Sequence, residues 1–318
     1  MKSPVPDRNT GKILIYKSSK LLWSVIRAVL IIGLGFLILY PLLIKLSSAF
    51  KSTVDLYDTT VFLLPKNFTL SNFTRVMDFI EYPATLMKTA LYIALTSFLQ
   101  MMSCTIVAYG LARFKYKGKS IVFMMAIITL VIPPQTILLP MYIQFKSFSL
   151  FNYFTAGMAS GGINLINTGV PVILLSLTAV GFKNGLYIFL LRQYFRNLPF
   201  SLEEAAYIDG CKVFKTFTKI MLPGAVPMMA AIFLFSFVWQ WNDYYYTAIL
   251  SPDMPLLSAR LNNIGYRICV SDNDTWNALL TMLYNNVAIL LLLIPLIVLY
   301  IFTQKLFVQS VERSGLVG

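Results

Sequence analysis

Histidine is missing from this chain, and charged residues are scarce. None of the 318 residues is a histidine, which excludes histidine-based nucleophile activation and histidine metal ligands. Aspartate, glutamate, lysine and arginine together make up 12% of the chain, about half the share found in a soluble domain. Hydrophobic residues make up 58%, and the mean hydropathy is +0.72. This composition is typical of a protein embedded in a lipid bilayer.

Cysteine is also rare, with three residues in the chain. In the topology argued below, Cys104 falls in a membrane segment, Cys211 in a cytoplasmic loop and Cys269 in an outer loop. They are too far apart to form a disulfide or to share a metal ion, so we expect neither, and we predict no metal site.

Acidic residues are half as frequent as basic ones, and the net charge is +13. The basic residues collect at the ends of apolar segments instead of forming one basic domain, which argues against a nucleic-acid partner.

Long apolar stretches dominate what is present. About 20 apolar residues are needed to cross a bilayer as a helix. Six stretches qualify, at residues 24–48, 88–112, 120–143, 169–192, 224–249 and 282–305. The fourth is the weakest, because Lys183 and Asn184 interrupt it. The polar and basic start of the chain does not resemble a cleavable signal peptide. We therefore predict an all-α membrane protein with six transmembrane helices.

The distribution of charge predicts the orientation. If the N-terminus is cytoplasmic, the cytoplasmic segments are residues 1–27, 113–119, 192–222 and 305–318. Together they carry 17 of the 26 lysines and arginines but 5 of the 13 acids. An excess of positive charge on the cytoplasmic side is the rule for membrane proteins. We therefore expect both termini in the cytoplasm.

This topology divides the chain into three parts. A cytoplasmic segment at 1–23 precedes a transmembrane domain at 24–305, and a cytoplasmic tail at 306–318 follows it. The domain contains an outer loop at 50–87 and a cytoplasmic loop at 198–223.

An ATP-binding loop is not evident. Gly118-Lys119-Ser120 imitates the end of a phosphate-binding loop, but Arg113 stands where that motif needs a glycine. The energy for any transport must therefore come from a partner protein or from an ion gradient.

The cytoplasmic loop at 198–223 carries the most informative pattern. Ser201 suits an N-cap, and Glu204 three residues later completes a capping box. Glu203 and Glu204 both fall in the first turn, where they favour the helix dipole. Gly210 would end this short helix. A second amphipathic helix would follow, so we expect two short helices hinged at a glycine and exposed to the cytoplasm.

The same loop resembles the "EAA" loop of binding-protein-dependent ABC importer permeases. The pattern consists of Glu204-Ala205-Ala206, three residues, Gly210, nine residues and Ile220-x-Leu222-Pro223. Flanking stretches resemble the carbohydrate branch, especially the shorter permease of maltose-type importers. They are Ala108 to Phe114, Ile132 to Gln135, Leu139-Pro140, Leu190 to Phe195, Trp241 to Asp243 and Phe307 to Gln309.

The resemblance implies the type I ABC importer permease architecture and a coupling role for the loop. In this family the loop docks as a helix into a cleft of a cytoplasmic ATPase subunit. Glu204, with Glu203, would face basic residues there. The residues implied in coupling are Glu203, Glu204, Ala205, Ala206, Asp209, Gly210, Ile220, Leu222 and Pro223.

The resemblance also implies a location in a bacterial inner (cytoplasmic) membrane, and it implies partners. These are a second homologous permease subunit, two ATPase subunits that bind ATP and Mg, and an extracytoplasmic solute-binding protein. The chain itself would bind no cofactor and would not be an enzyme. The tail from Ser310 to Gly318 resembles an extension that reaches between the ATPase subunits, and a frayed terminus is the alternative interpretation.

Polar residues in two apolar stretches are candidates for the solute pathway. Asn242 and Asp243 beside Trp239 and Trp241 combine hydrogen-bonding groups with the stacking faces that sugars favour. An aromatic belt at the membrane surface, with an aspartate at a helix end, is the alternative interpretation.

Lys183 and Asn184 lie inside the fourth stretch, at an expected break after Gly181. They would line the cavity and favour an anionic or highly polar solute, or pair with a group on the partner permease. The stretch from Gly157 to Gly169 resembles an extra-long outer loop that could contact the solute-binding protein.

Two other function classes compete with the importer. An ion-coupled secondary transporter would need inverted repeats and membrane carboxylates, and neither is evident. A membrane enzyme would need histidine, a metal-ligand cluster or paired carboxylates, which the apolar stretches lack.

Overall fold

The computed structural model describes residues 8–149, 162–273 and 277–315, with side chains described between 20 and 305. Within these ranges the chain is helical and forms no strand. The helices are α1 (Arg8–Ala49), α2 (Thr53–Tyr57), α3 (Ser71–Phe79), α4 (Tyr82–Arg113), α5 (Lys119–Val131), α6 (Pro134–Lys146), α7 (Val170–Leu177), α8 (Asn184–Asn197), α9 (Ser201–Ile208), α10 (Val213–Thr216), α11 (Leu222–Trp241), α12 (Tyr245–Leu250), α13 (Leu257–Leu261), α14 (Ile264–Ser271) and α15 (Ala278–Gly315).

Four described helical stretches are long and apolar enough to cross a membrane. They are Lys20–Ala49, Tyr82–Arg113, Val213–Trp241 and Ala278–Lys305. They contain the first, second and sixth predicted spans, and they overlap the fifth, 224–249, which ends earlier than predicted, at Trp241. The third predicted span is α5 and α6, which meet at an angle of 105° and would make a fifth crossing as a pair.

The fourth predicted span, 169–192, is not a continuous helix. It consists of α7 and the first part of α8, separated by residues 178–183. The break falls where the sequence predicted it. Ala179 and Lys183 both have positive φ, at 56° and 66°, which a right-handed helix does not allow.

The described chain divides into two compact units. In the first, residues 1–74 and 265–290, the end of α1 is tied to α15 by side-chain hydrogen bonds. Asn286 Nδ2 donates to Ser48 Oγ at 3.1 Å, and Lys45 Nζ donates to Asn286 Oδ1 at 3.4 Å. Between α2 and α3, Lys66 and Thr60 donate hydrogen bonds to Asp58 and hold the pKa of its carboxyl well below the usual range.

The second unit, residues 75–264 and 291–318, contains the main core. In it α4 packs most extensively against α8 and α11. Fully buried side chains from the three helices meet there, including Cys104, Leu191 and Ile232. Gly185 of α8 lies against α5 so closely that a methyl group on it would be 2.6 Å from Thr129 Oγ1. The glycine is needed for this crossing.

Several predictions fall outside the described residues. These are residues 1–7, the part of the Gly157–Gly169 stretch up to residue 161, and the last three residues of the tail. Side chains of residues 306–315 are likewise not described.

Candidate functional site

The 198–223 segment contains the short helix α9 that the sequence predicted, but its start differs. Ser201 is not the N-cap, because Phe200 before it already has helical angles, φ −63° and ψ −27°. An N-cap needs extended angles for its side chain to reach forward to the helix N–H groups. The carbonyls of Pro199 and Phe200 accept the first backbone hydrogen bonds instead. The expected capping box between Ser201 and Glu204 is therefore wrong.

The end of α9 is as predicted. Gly210 adopts the left-handed conformation, with φ 76°. The Cys211 N–H donates to the Ala206 carbonyl at 2.9 Å, and the Gly210 N–H donates to the Tyr207 carbonyl at 3.1 Å. This pair of bonds is the Schellman motif, which stops a helix and turns the chain sharply. Gly210 thus forms the hinge between α9 and α10.

Glu203 and Glu204 point in opposite directions. Glu203 is buried, and its Oε1 accepts a hydrogen bond from the Tyr109 hydroxyl at 3.0 Å. The same oxygen lies 3.6 Å from Arg113 Nε. Glu204 is exposed. The sequence analysis expected both acids to face the ATPase. Glu204 is accessible for that, whereas Glu203 is already bonded to groups within the chain.

Arg113, at the end of α4, fastens the start of the segment. Its Nη2 donates to the Leu198 carbonyl at 2.7 Å, and its guanidinium lies 4.2 Å from the centre of the Phe200 ring. Arg113 belongs to the flanking stretch Ala108 to Phe114, for which the sequence predicted no structural role. The pairing with Glu203 could not be predicted from a local pattern, because the two residues are 90 positions apart in the sequence.

The outer surface of α9 and α10 is exposed and partly apolar. Glu204, Ala205 and Asp209 are exposed, whereas Ala206 is buried. Ile208 and Phe214 are 86% and 77% exposed. Large apolar side chains exposed beside acidic ones are typical of a protein-binding surface. Neither Ile208 nor Phe214 was predicted from the sequence to belong to this surface.

The second helix of the segment is continuous with the next long helix. A π-turn at Phe217–Met221 joins α10 to α11, so one helical stretch runs from Val213 to Trp241. Ile220 and Leu222 pack against the core, and Pro223 is exposed. Proline disturbs the hydrogen bond to the fourth preceding carbonyl, and the wider π-turn accommodates it without ending the helix.

A cavity of about 520 Å³ opens among α4, α6, α7, α8, α11 and α12 in the second unit. Its walls carry amide and aromatic side chains. These include Tyr92, Gln100, Gln135, Phe182, Trp239, Gln240, Asn242, Tyr244, Tyr245 and Tyr246. Lys183 and Asp243 are the charged residues of its described lining.

A polar network joins three helices at this cavity. Gln100 of α4 donates to the Phe182 carbonyl at 2.9 Å and to Asn184 Oδ1. Its own oxygen accepts hydrogen bonds from Ser236 and Gln240 of α11. Sequence reasoning missed this network. A signal was available, because Thr89, Thr96, Gln100 and Ser103 recur at helical spacing along one side of an otherwise apolar helix.

Four of the six predicted pathway residues line the cavity. Lys183 lies over Trp239, with Nζ 4.3 Å from the ring centre. Asn242 and Asp243 contribute to the wall, while the Asp243 carboxylate also accepts the backbone N–H groups of Tyr246 and Thr247. Asp243 therefore stabilises the start of α12, as the alternative interpretation anticipated.

The other two pathway residues are not in the wall. Trp241 is fully buried, and its Nε1 donates to the Leu292 carbonyl at 3.1 Å. Its neighbours Trp239 and Asn242 lie on other sides of the helix end, because successive residues differ by about 100° in direction. Asn184 is buried beneath the cavity, against Gln100. Trp241, predicted as a pathway residue, therefore does not line this cavity in the structure.

Comparison with protein families gives a match over residues 104–313, which include the 198–223 segment and most of the cavity. The family is described as "Binding-protein-dependent transport system inner membrane component". The chain belongs to this family.

Relatives within the family are transport permeases. The chain is 28% identical to the probable ABC transporter permease YurM of Bacillus subtilis, covering 88% of this chain and 84% of the relative. It is 27% identical to the arabinooligosaccharide permease AraQ of Halalkalibacterium halodurans, covering 90% and 93%. It is 26% identical to the diacetylchitobiose permease NgcG of Streptomyces coelicolor, covering 92% and 85%.

The fold is that of an importer permease. A chain from the crystal structure of a bacterial ABC transporter that imports alginate superposes with a TM-score of 0.70 at 21% identity, covering 95% of this chain and 99% of the other. As a family member, this chain is a multi-pass protein of the bacterial inner membrane, which agrees with its apolar helices.

Proposed function

We propose that this chain is a permease subunit of an ATP-driven importer that translocates a sugar, an oligosaccharide or a saccharide-like solute. AraQ and NgcG are named for such solutes, and both align with this chain over most of their length. The aromatic and amide side chains of the cavity support the same solute class, since pyranose rings stack on aromatic faces and their hydroxyls pair with amides.

The observation that carries the proposal is the surface of α9 and α10. Its acidic and large apolar side chains are exposed (Glu204, Asp209, Ile208 and Phe214). The Glu203–Arg113 pair attaches α9 to α4, and the continuous stretch Val213–Trp241 attaches α10 to the cavity. A partner that grips this surface would therefore move two helices that line the cavity.

The partners follow from this role. Two ATPase subunits would hydrolyse ATP with Mg and would bind the coupling surface (Glu204, Ala205, Ile208, Asp209 and Phe214). A second homologous permease would complete the pathway, and an extracytoplasmic binding protein would deliver the solute. Rigid-body rocking of the permeases would open the pathway to each side in turn.

The proposed topology has six spans with both termini in the cytoplasm. The bent pair α5–α6 would form the third span, and the broken pair α7–α8 the fourth. Non-helical backbone is tolerated at membrane depth where it lines a cavity. Gly181, Phe182 and Lys183 in the α7–α8 break line the cavity, which supports this assignment.

Coupling through this surface is tested by reversing the charge at Glu204 and replacing the hinge residue Gly210. The double variant Glu204→Lys, Gly210→Pro should insert and assemble in the membrane but should lose solute uptake and the stimulation of ATPase activity by loaded binding protein. Asp78→Lys, a reversal at an exposed site of α3, is the matched control and should transport normally. Uptake at the wild-type rate by the double variant would contradict coupling through this surface.

The ion-coupled alternative has a separate test. Uptake into vesicles should require ATP and the binding protein and should persist when ionophores dissipate the ion gradients. The comparisons give no support to an ion-coupled transporter. Full uptake by the purified chain alone would refute the importer assignment.

A further inference from the structure

Lys183 is a cation with no acidic partner at the cavity wall. Among described residues 20–149, 162–273 and 277–305, it forms no ion pair. Its ammonium lies over the Trp239 ring, which stabilises a cation but does not neutralise it. Ionisable side chains in membrane segments are costly, and those that persist mark functional sites.

Asp243, the other charged residue of the wall, is already engaged. Its carboxylate oxygens accept the N–H groups of Tyr246 and Thr247 at 3.2 and 3.1 Å, and Oδ2 also accepts the Thr247 hydroxyl at 3.1 Å. These donors at the start of α12 stabilise the negative charge of Asp243. The cationic end of Lys183 is therefore the unpaired charge that the cavity presents.

The backbone around Lys183 adds positive potential. Lys183 stands at the N-cap of α8, a helix of 14 residues, and the N-terminus of a helix attracts anions. Asn184 next to it is 2% exposed, and its Nδ2 has no hydrogen-bond partner. Asn184 does not itself line the cavity, but its Nδ2 lies next to Gly181, which does: a methyl group on Gly181 would be 3.4 Å from it. A buried unpaired donor costs free energy unless a ligand or water accepts from it.

We propose that this cavity binds an anionic saccharide, with the acidic group of a sugar acid at Lys183 and its ring against Trp239 and the nearby tyrosines. Three of those tyrosines follow one another at 244–246, and Tyr246 stacks on Phe182 with ring centres 3.6 Å apart. The acidic group replaces the missing counter-charge, and the aromatic wall supplies stacking. This inference rests on the proposed importer function and narrows its solute to carboxylated or otherwise acidic sugars.

The experiment compares two sugars of the same ring form, glucuronate and glucose. Radiolabelled samples are equilibrated with the purified complete transporter, without the binding protein. The wild type should bind glucuronate roughly tenfold to a hundredfold more tightly than glucose, as expected for one charge-assisted contact. Lys183→Met should abolish this preference, Lys183→Arg should retain part of it, and raised ionic strength should weaken glucuronate binding alone.

A matched control is Lys45→Met, which removes a lysine that lines a different cavity, with Asn285 and Asn286. It should keep the wild-type preference. Equal affinities for the two sugars, no measurable binding of either, or an unchanged preference in Lys183→Met would each overturn the proposal. ATPase stimulation by loaded binding protein is measured in the same preparation. If stimulation is present but glucuronate is not preferred, this inference is refuted and the proposed importer function still stands.

Discussion

At the scale of single residues, the most informative contrast is between Glu203 and Glu204. They are neighbours in sequence, yet one is buried against Tyr109 and Arg113 and the other is exposed. A buried charge that loses its partner is destabilising, whereas an exposed charge contributes little to stability. The two positions should therefore respond differently to the same substitution.

Glu203→Gln should destabilise the protein by about 3 kcal/mol, because it leaves the Arg113 guanidinium buried without a counter-charge. Glu204→Gln should leave the free energy of unfolding within about 0.5 kcal/mol of the wild type and should lower the stimulated ATPase rate. Thermal unfolding of the purified protein and ATPase assays of the complex measure the two effects. Equal stability loss in both variants would contradict the assigned orientations.

The sequence could identify these residues as a set but could not orient them. Spacing within α9 places Glu203 and Glu204 on adjacent helical positions, and both satisfy the same pattern. The side that packs inward is decided by Arg113 and Tyr109, which are about 90 residues away in the chain. The orientation of Trp241 could not be predicted either. Its partner, the Leu292 carbonyl, lies in a different helix, so the local sequence pattern does not indicate the contact.

At the scale of helices, residue size and polarity decide how the elements of the second unit meet. Gly185 allows α8 to approach α5, and the Gln100 network joins α4 to α11. Small residues and hydrogen bonds replace the hydrophobic effect as the source of helix association in lipid.

Gly185→Ala should destabilise the second unit by about 1–3 kcal/mol, because its methyl group would overlap the α5 backbone at Ala126. Gly33→Ala is the control: nothing lies within 4 Å of the added methyl, and alanine is the better helix former. In detergent, the unfolding midpoint of Gly185→Ala should fall below that of the wild type, whereas the midpoint of Gly33→Ala should not. A tolerated Gly185→Ala would mean that the α5–α8 contact is looser than described.

Gln100→Leu should cost about 1 kcal/mol for each hydrogen bond that it removes between helices. Ser236→Ala, alone and combined with it, completes a double-mutant cycle. Because both variants break the same contact, the combined loss should be smaller than the sum of the single losses. Additive losses would show that the two side chains act independently.

Long apolar helices were predictable because their signal is local and repeats along the chain. The first, second and sixth predicted spans fall within helices of the structure, and the fifth does so up to Trp241. The 105° bend between α5 and α6 was not predicted as an angle. Pro133 and Pro134 indicate an interruption, but its direction depends on what packs against each half.

At the scale of the whole molecule, the topology depends on which segments cross the bilayer. A six-span topology places the 50–87 loop outside the cell and residues 113–119 inside. Positive charge near the predicted cytoplasmic ends supports this orientation, and the broken α7–α8 pair has to cross for the count to be six.

Cysteine labelling tests this topology. After replacement of Cys104, Cys211 and Cys269, single cysteines are introduced at the exposed positions Leu64 and Lys117. In right-side-out vesicles an impermeant maleimide should label Leu64→Cys at once and Lys117→Cys only after the vesicles are opened. Immediate labelling of both would refute the arrangement, since one crossing, α4, separates them.

The π-turn at Phe217–Met221 sets the rotational phase between the coupling surface and the cavity. The Leu222 N–H bonds to the Phe217 carbonyl, five residues earlier, so the turn holds one residue more than an α-helix would. If the same residues wound as a regular α-helix instead, everything before the turn would be rotated by about 100° about the axis. The chain would keep its helix and its composition, but α9 would present a different side to any partner that binds it.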